Sequence, residues 1–516
     1  MIKIAEINWK SYVVPSFVLL FVLSLTYFFI SIFLYDSYKV QFLLLNLILL
    51  QYLIFEFFNL SSKENSLIFV QPYFLVIAFF FLLNHLIPNI RFFISDPSEF
   101  LHFRMVFWDD DLFRSLLKPM QLVILSAFAI FLGYKSNSCM KLGGLVRVYF
   151  SKIVNPNLRS FIKIPYFLIF IIITIGIISV YLQISWGIFG YGVSDNILEQ
   201  YSSYSQFFRY ADLLQLLLVI ILAYMLHKPD SSKFALKIIL FVLVLILVVQ
   251  GFLFASKGKA LMPILATLLG SYLSTGRIFL RYLFASILTL LLAFVVIEPY
   301  RVLKNIYPDA SFTEAITLIS QVPDDIATES IEEDVTFKDR ITDITVWFLG
   351  RNDNFSFTAN AIVFKDRYGI PDNKNPDFLG SILYSPAYAF IPRFLWKSKP
   401  RDQIGAWYED SIMQSPNYSA SAFGAVAYPY YAGGVVAIFL VFYFFGLMQR
   451  LVFESFFKMN NLLGFCIYLG LILPITQIYS EIGGVITGFL RLIPVIIFFS
   501  ILIFLDYKKI FRKIIS

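Results

Sequence analysis

The stretch VVPSFVLLFVLSLTYFFISIFLY, residues 13–35, runs for 23 residues without a charged side chain. A helix rises about 1.5 Å per residue, so a run of this length matches the roughly 30 Å hydrocarbon core of a bilayer. Lys3 and Lys10 precede it and no small-residue cleavage site follows, so it reads as a retained first span and not as a removed signal peptide. Comparable apolar windows recur at 40–57, 66–89, 119–134, 164–183, 211–227, 236–254, 260–275, 282–299, 428–448, 461–479 and 484–506. The composition agrees: 59% of residues are hydrophobic, 19% aromatic and 15% charged, which excludes a string of soluble domains. The expected fold is an all-α polytopic membrane protein with about twelve transmembrane helices.

Loop charges orient it. With the N-terminus in the cytoplasm, the inner loops collect Lys63, the basic residues from Lys135 to Lys163, Lys228, Lys233, Lys237, Arg277, Arg281, Arg450, Lys458 and the tail from Lys508 to Lys513, with few acids among them. The positive-inside rule then predicts that both termini are cytoplasmic. The net charge of +7 is a matter of topology, and no nucleic-acid motif accompanies it. Between Lys135 and Lys163, cations alternate with Leu145, Val146, Val148, Tyr149, Phe150 and Ile153, predicting an amphipathic helix on the inner membrane surface.

One polar segment interrupts the pattern. It divides the chain into residues 1–299 (nine spans), a large outer loop at 300–427, and residues 428–516 (three spans and a cytoplasmic tail). A loop of roughly 130 residues far exceeds ordinary connections. Within it, residues 321–335 read as an acidic solvated strip. Apolar residues at helical spacing predict two short amphipathic helices, one ending at Gly350 and one over 355–364. Shorter outer loops cover 88–118 and 185–211, and no internal repeat is visible.

The outer cations deserve a chemical explanation, because charge near a bilayer keeps its place only with a partner or a task. Lys257 and Lys259 lie in FASKGKAL; Arg301 lies in IEPYR; Arg351 lies in the loop; Arg393, Lys397, Lys399 and Arg401 lie in FIPRFLWKSKPR; Arg491 lies inside the last apolar run. Arg491 is expected to face the bundle interior and pair there, and Lys397 to face solvent. Guanidinium and ammonium groups converging beside apolar walls suit a phosphate carried on a lipid. Glu298 and Glu481 stand where apolar helices surface, so burial could raise them toward general-base use, with ion pairs to Arg301 or Arg491 as the alternative. The consecutive Asp109, Asp110 and Asp111 do not converge on one point, so no metal is expected. His85 and His102 lack nucleophile partners, Cys139 and Cys466 form no framework, and no Walker loop or GxGxxG is present.

FLFASKGKALMPIL before the ninth span, IPRFLWKSKPR in the loop, and SASAFGAVAYPYYAGGVVAIFLVFYFFGLMQRL leading out of it resemble the bacterial O-antigen or capsule repeat-unit polymerases, the Wzy family. The motifs cover residues 249–451, and the span pattern the whole chain. The resemblance implies transfer of oligosaccharide repeat units from one undecaprenyl diphosphate carrier to the sugar on another, at the outer leaflet of the bacterial cytoplasmic membrane. It implies no nucleotide sugar, metal or other cofactor, and names the lipid-linked oligosaccharide, the bilayer, a chain-length regulator and a flippase as partners, with no nucleic acid. Lys257 or Lys259 matches a cation that is often Arg in relatives; Pro392, Arg393, Lys399 and Pro400 match the IPR…KP element. On this reading Arg393 and Arg301 stabilise the leaving diphosphate. Lys257, Lys259, Arg351, Lys399, Arg401 and Arg491 bind it, and Glu298 or Glu481 takes the hydroxyl proton. Trp396, Trp407 and Tyr408 could stack on sugars, packing being the commoner fate of such rings. An O-antigen ligase is the alternative, disfavoured because residues 301–428 contain no His. A flippase or other transporter is a further alternative, disfavoured by the long outer loop.

Overall fold

The computed structural model describes residues 8–34, 36–63, 71–94, 112–153, 166–189, 204–227, 233–275, 279–306, 353–371, 376–391, 395–396, 404–413, 423–459, 462–476 and 482–504. Among these, every regular element is helical. The helices are α1 (Lys10–Phe33), α2 (Tyr38–Lys63), α3 (Pro72–Ile94, with π-helical turns over Val76–Leu86), α4 (Leu112–Tyr134) and α5 (Asn137–Ile153). Next come α6 (Tyr166–Ser185), α7 (Ser205–Leu226), α8 (Lys233–Leu253), α9 (Lys257–Thr275) and α10 (Leu280–Ile306). Then follow α11 (Asn354–Tyr368), α12 (Phe378–Leu383), α13 (Ser385–Phe390), α14 (Ile404–Tyr408), α15 (Ala427–Ser455), α16 (Leu462–Thr476) and α17 (Ile482–Phe504). Among the described residues, each apolar window of the sequence holds a helix. Six, Lys10–Phe33, Tyr38–Lys63, Pro72–Ile94, Leu112–Tyr134, Phe234–Leu253 and Ala427–Met459, are long and apolar enough to cross a membrane.

The chain forms two compact units: one of Phe161–Thr336 with both chain ends, the other joining Ala5–Ser160 to Phe337–Ile501. This division differs from the sequence-based one, because the second unit takes helices from before and after the polar segment together with the described part of that segment.

In the second unit, α1 and α2 are antiparallel: Gln51 Nε2 donates to Ser16 O at 2.9 Å, and Trp9 meets Phe57 edge-on at 5.3 Å. Helices α2, α4 and α15 run in one direction. Phe42 packs near Phe113 at 5.9 Å, and about four turns further along α2, Glu56 pairs with Lys135 at 2.6 Å. Helices α4 and α15 approach closely through reciprocal glycines. A Cβ on Gly133 would lie 2.1 Å from Tyr443 O, and one on Gly446 would lie 2.0 Å from Ile130 O. Small residues at such crossings let backbones touch where lipid offers no hydrophobic drive to associate. Helix α15 breaks at Gly433–Gly434, where Gly434 has φ +67°, a left-handed conformation open to glycine.

Polar contacts cluster at the two ends of these helices, with an apolar core between them. One end holds Glu56 with Lys135, and Glu454 with Arg450 and Lys458. There α5 forms the predicted helix; its Gly143 is pressed onto Glu454, while Leu145, Val148 and Tyr149 are exposed.

The predicted amphipathic helix over 355–364 needs correction. That stretch of α11 is buried throughout except for the half-buried Phe357, because neighbours cover its polar side as well as its apolar one. Phe355, Ala359 and Ile362 join the same core as Phe42, Phe80, Phe131 and Phe445. The acidic strip at 321–335, the helix ending at Gly350 and Asp109 to Asp111 lie outside the described residues.

In the first unit, α9 packs between its neighbours. A Cβ on its Gly270 would lie 2.4 Å from Ile220 O of α7, and one on Gly251 of α8 would lie 2.2 Å from Ala260 N. The α8–α9 turn places buried Ala255 at φ +47°, and Ser256 caps α9 by accepting from Lys259 N at 3.3 Å.

Candidate functional site

The end of the second unit where α4 and α15 begin carries a mixed-charge cluster organised by α11. Asp353 caps α11, its Oδ1 accepting from Ser356 N at 2.8 Å. The same carboxylate pairs with Arg91 of α3, which also donates to Ser356 Oγ at 2.6 Å. Arg91 and Asp353 side chains are each 1% exposed, so this ion pair is a buried anchor for the start of the helix. The rest of α11 is tied to α15 and α14: Tyr431 OH donates to Ala361 O at 2.8 Å, and Tyr408 OH to Phe357 O at 3.4 Å. Gly424, at φ +85°, passes so close to Thr358 that a Cβ would lie 2.3 Å from Oγ1.

So anchored, the last turn of α11 presents Lys365 and Asp366 to the first turns of α4 and α15. Asp366 Oδ2 accepts from Lys118 Nζ at 2.6 Å and Oδ1 from Tyr430 OH at 2.5 Å, while Lys118 Nζ also donates to the Tyr430 hydroxyl at 2.7 Å. Lys365 Nζ donates to Tyr430 O at 2.6 Å and lies 4.6 Å from the centre of the Tyr430 ring, near which Lys118 lies at 5.2 Å. Lys365 is held below the usual lysine range, chiefly by burial, with Asp366 opposing that shift and Lys118 adding to it. The Lys118 and Asp366 side chains remain 49% and 34% exposed. An exposed pair contributes only about 0–1 kcal/mol to stability, so the buried anchor and apolar packing seat α11.

The sequence-predicted residues distribute differently. Arg491 of α17 is half-buried and turned inward, where its Nε donates to Ala389 O at 3.2 Å and its Nη2 to Tyr388 O. Those carbonyls end α13, so Arg491 holds the chain that leads into FIPRFLWKSKPR. Lys259 pairs with Asp212 of α7 at 2.9 Å and stands 4.1 Å from the Phe254 ring centre; Lys257 is half-buried in the same turn. The ion pair with Asp212 is the partner that the sequence reading did not supply. Glu298 and Arg301 lie on α10, and their side chains are outside the described residues, as are Arg351, Arg393, Lys399, Arg401 and Glu481 altogether. Trp407 and Tyr408 are buried with Phe378 and Phe423, which takes them from any sugar; Trp396 lies 5.4 Å from Tyr388.

Sequence reasoning missed Arg91, Lys118, Asp353, Lys365, Asp366 and Tyr430. One of these had a visible signal: Arg91 in NIRFFI is a lone cation in an apolar stretch, the pattern that singled out Arg491. The others became legible only once α11 was seated. No family model, curated protein or solved structure matches the chain.

Proposed function

We propose that this chain is a membrane-embedded glycosyltransferase that polymerises lipid-linked oligosaccharide repeat units at the outer face of a bacterial cytoplasmic membrane. The observation that supports this most is the cluster of Lys118, Asp366, Tyr430 and Lys365 at the ends of two long apolar helices. Each sugar hydroxyl both donates and accepts, and a carboxylate flanked by ammonium and phenol groups offers the complementary set. A site for phosphate alone would have no use for Asp366.

In the proposed reaction an acceptor hydroxyl attacks the anomeric carbon of a second repeat unit. The new C–O bond forms as the bond to the lipid diphosphate breaks, and the electron pair leaves on the phosphate oxygen. The hydroxyl proton passes to a carboxylate, for which Asp366 joins Glu298 and Glu481 as a candidate. Cations lower the barrier by meeting the charge that grows on the leaving diphosphate. Arg351, Arg393, Lys399 and Arg401, of the second unit, keep that proposed role, whereas Arg491 is better suited to positioning.

The test is reconstitution of purified protein with undecaprenyl-diphosphate-linked repeat units and no nucleotide. A ladder of longer glycans on one carrier supports the reading; unchanged substrate overturns it.

A further inference from the structure

Residues 378–391, FLGSILYSPAYAFI, are uncharged. An apolar run of roughly this length is too short to span a bilayer and suits a buried or re-entrant segment. It folds as α12 and α13, with Asp377 capping α12 by accepting from Gly380 N at 2.7 Å.

The two short helices lie along α17 in matched register. A Cβ on Gly483 would lie 2.8 Å from Ser381 O, Thr487 Oγ1 donates to Ser385 O at 3.3 Å, and Arg491 Nε donates to Ala389 O at 3.2 Å. Gly483, Thr487 and Arg491 recur every four residues on one stripe of α17, and the two turns and more between the first and last span about 12 Å. The segment therefore descends the side of α17 from the end where α15 begins, because Phe378 packs against Tyr428 at 5.4 Å and Tyr431 at 5.2 Å. It also returns. Trp396 is still beside Tyr388, at 5.4 Å, but Trp407 is back beside Phe378, at 5.3 Å. Entry and exit lie at the same end.

The side turned away from α17 is apolar and uncovered. Leu379, Leu383, Tyr384, Phe390 and Leu395 are exposed, Leu383 at 64% and Leu395 at 70%. Charges resume where the segment begins, at Asp377. At the deep end, Arg491 takes the carbonyls of Tyr388 and Ala389, which so short a helix cannot satisfy itself. Irregular backbone at membrane depth needs such a protein partner, and an arginine inside a span needs such an acceptor.

We propose that residues 378–391 form a re-entrant segment immersed in the hydrocarbon of one leaflet, with Leu379, Leu383, Tyr384 and Phe390 against lipid acyl chains. The occupant is lipid because the exposed face of residues 378–391 carries no charge over a depth of about 12 Å alongside the apolar helix α17. This goes beyond the glycosyltransferase reading and needs only that α17 crosses a bilayer.

The experiment uses the full chain carrying Cys139→Ser and Cys466→Ser, with single substitutions Leu383→Cys, Phe390→Cys and, for comparison, Tyr368→Cys. Each is labelled with an environment-sensitive fluorophore in phosphatidylcholine and phosphatidylglycerol vesicles. Tyr368 is 62% exposed near the charged end of α11 and serves as the aqueous reference. Labels at 383 and 390 should emit to the blue of the reference, be quenched by acyl-chain spin-labelled lipid, and be several-fold less sensitive to iodide. Iodide quenching equal to that at 368 would overturn the proposal. So would protection from both quenchers, which would mean that protein covers the face. Both positions are exposed, so the substitutions remove little packing, and monodisperse elution confirms that each variant is folded.

Discussion

Replacing Asp353 tests how the polar segment is built into the helical core. Asp353→Asn keeps an oxygen that can cap α11 but removes the charge facing Arg91. Both side chains are 1% exposed, so the guanidinium would be left buried without its counter-ion. Breaking a buried pair from one side costs about 3–5 kcal/mol. Asp353→Ala should cost about 1 kcal/mol more, because the bond from Ser356 N is also lost. The double variant Arg91→Met, Asp353→Asn removes both charges together, and should recover most of the loss, since an apolar replacement of a buried pair is often neutral. Unfolding of purified protein in mixed micelles by a denaturing detergent, followed by tryptophan emission, measures all four. Either single substitution costing less than about 1 kcal/mol would refute the anchor, as would a double variant no more stable than the singles. Loosening α11 should also separate Asp366 from Lys118 and Tyr430, so the proposed polymerisation should fall with stability.

Asp366→Asn should lower the rate of glycan ladder formation by about 10²–10⁴-fold if Asp366 takes the proton, with folding intact; a wild-type rate would return that role to Glu298 or Glu481. Gly133→Ala and Gly446→Ala should each destabilise by about 1–3 kcal/mol through overpacking. Gly144→Ala, whose Cβ would meet nothing within 4 Å, should be stabilising by about 0.5–1 kcal/mol in the same unfolding assay. Arg491→Lys should fail to replace arginine, because one ammonium cannot reproduce the guanidinium fork across two carbonyls; iodide quenching of a label at 390 would rise. Lys365, with its folded pKa depressed, binds its proton more weakly than in the unfolded chain. Stability should therefore rise with pH between the depressed value and the ordinary 10.5, a slope that Lys365→Met should flatten.

Much of the helical pattern could be read from the chain alone. Apolar windows such as 13–35 and 428–448 carry their own length and hydropathy, and the backbone in such a run satisfies its hydrogen bonds within itself, so α1 and α15 needed no tertiary information. The basic stretch around Lys141 and Arg147 likewise announced α5. Its limits show at α11, where ANAIVF has the spacing of a surface helix yet lies in the core. Burial there follows from Arg91, Tyr408, Gly424 and Tyr431, which come from four other parts of the chain.

The same contrast holds for the candidate site. Arg491 could be singled out by sequence, because a lone arginine in an apolar run must find an acceptor; that the acceptor is the end of α13 could not. Lys118, Asp366 and Tyr430 are separated by up to 312 positions and meet at 2.7 Å or less. Local composition decided which segments are helices, since a helix closes its bonds within a few residues. Which charges stand together was decided by the seating of α11 and by the descent of residues 378–391 along α17. Those contacts depend on side chains brought together from distant parts of the chain, and no local pattern encodes them.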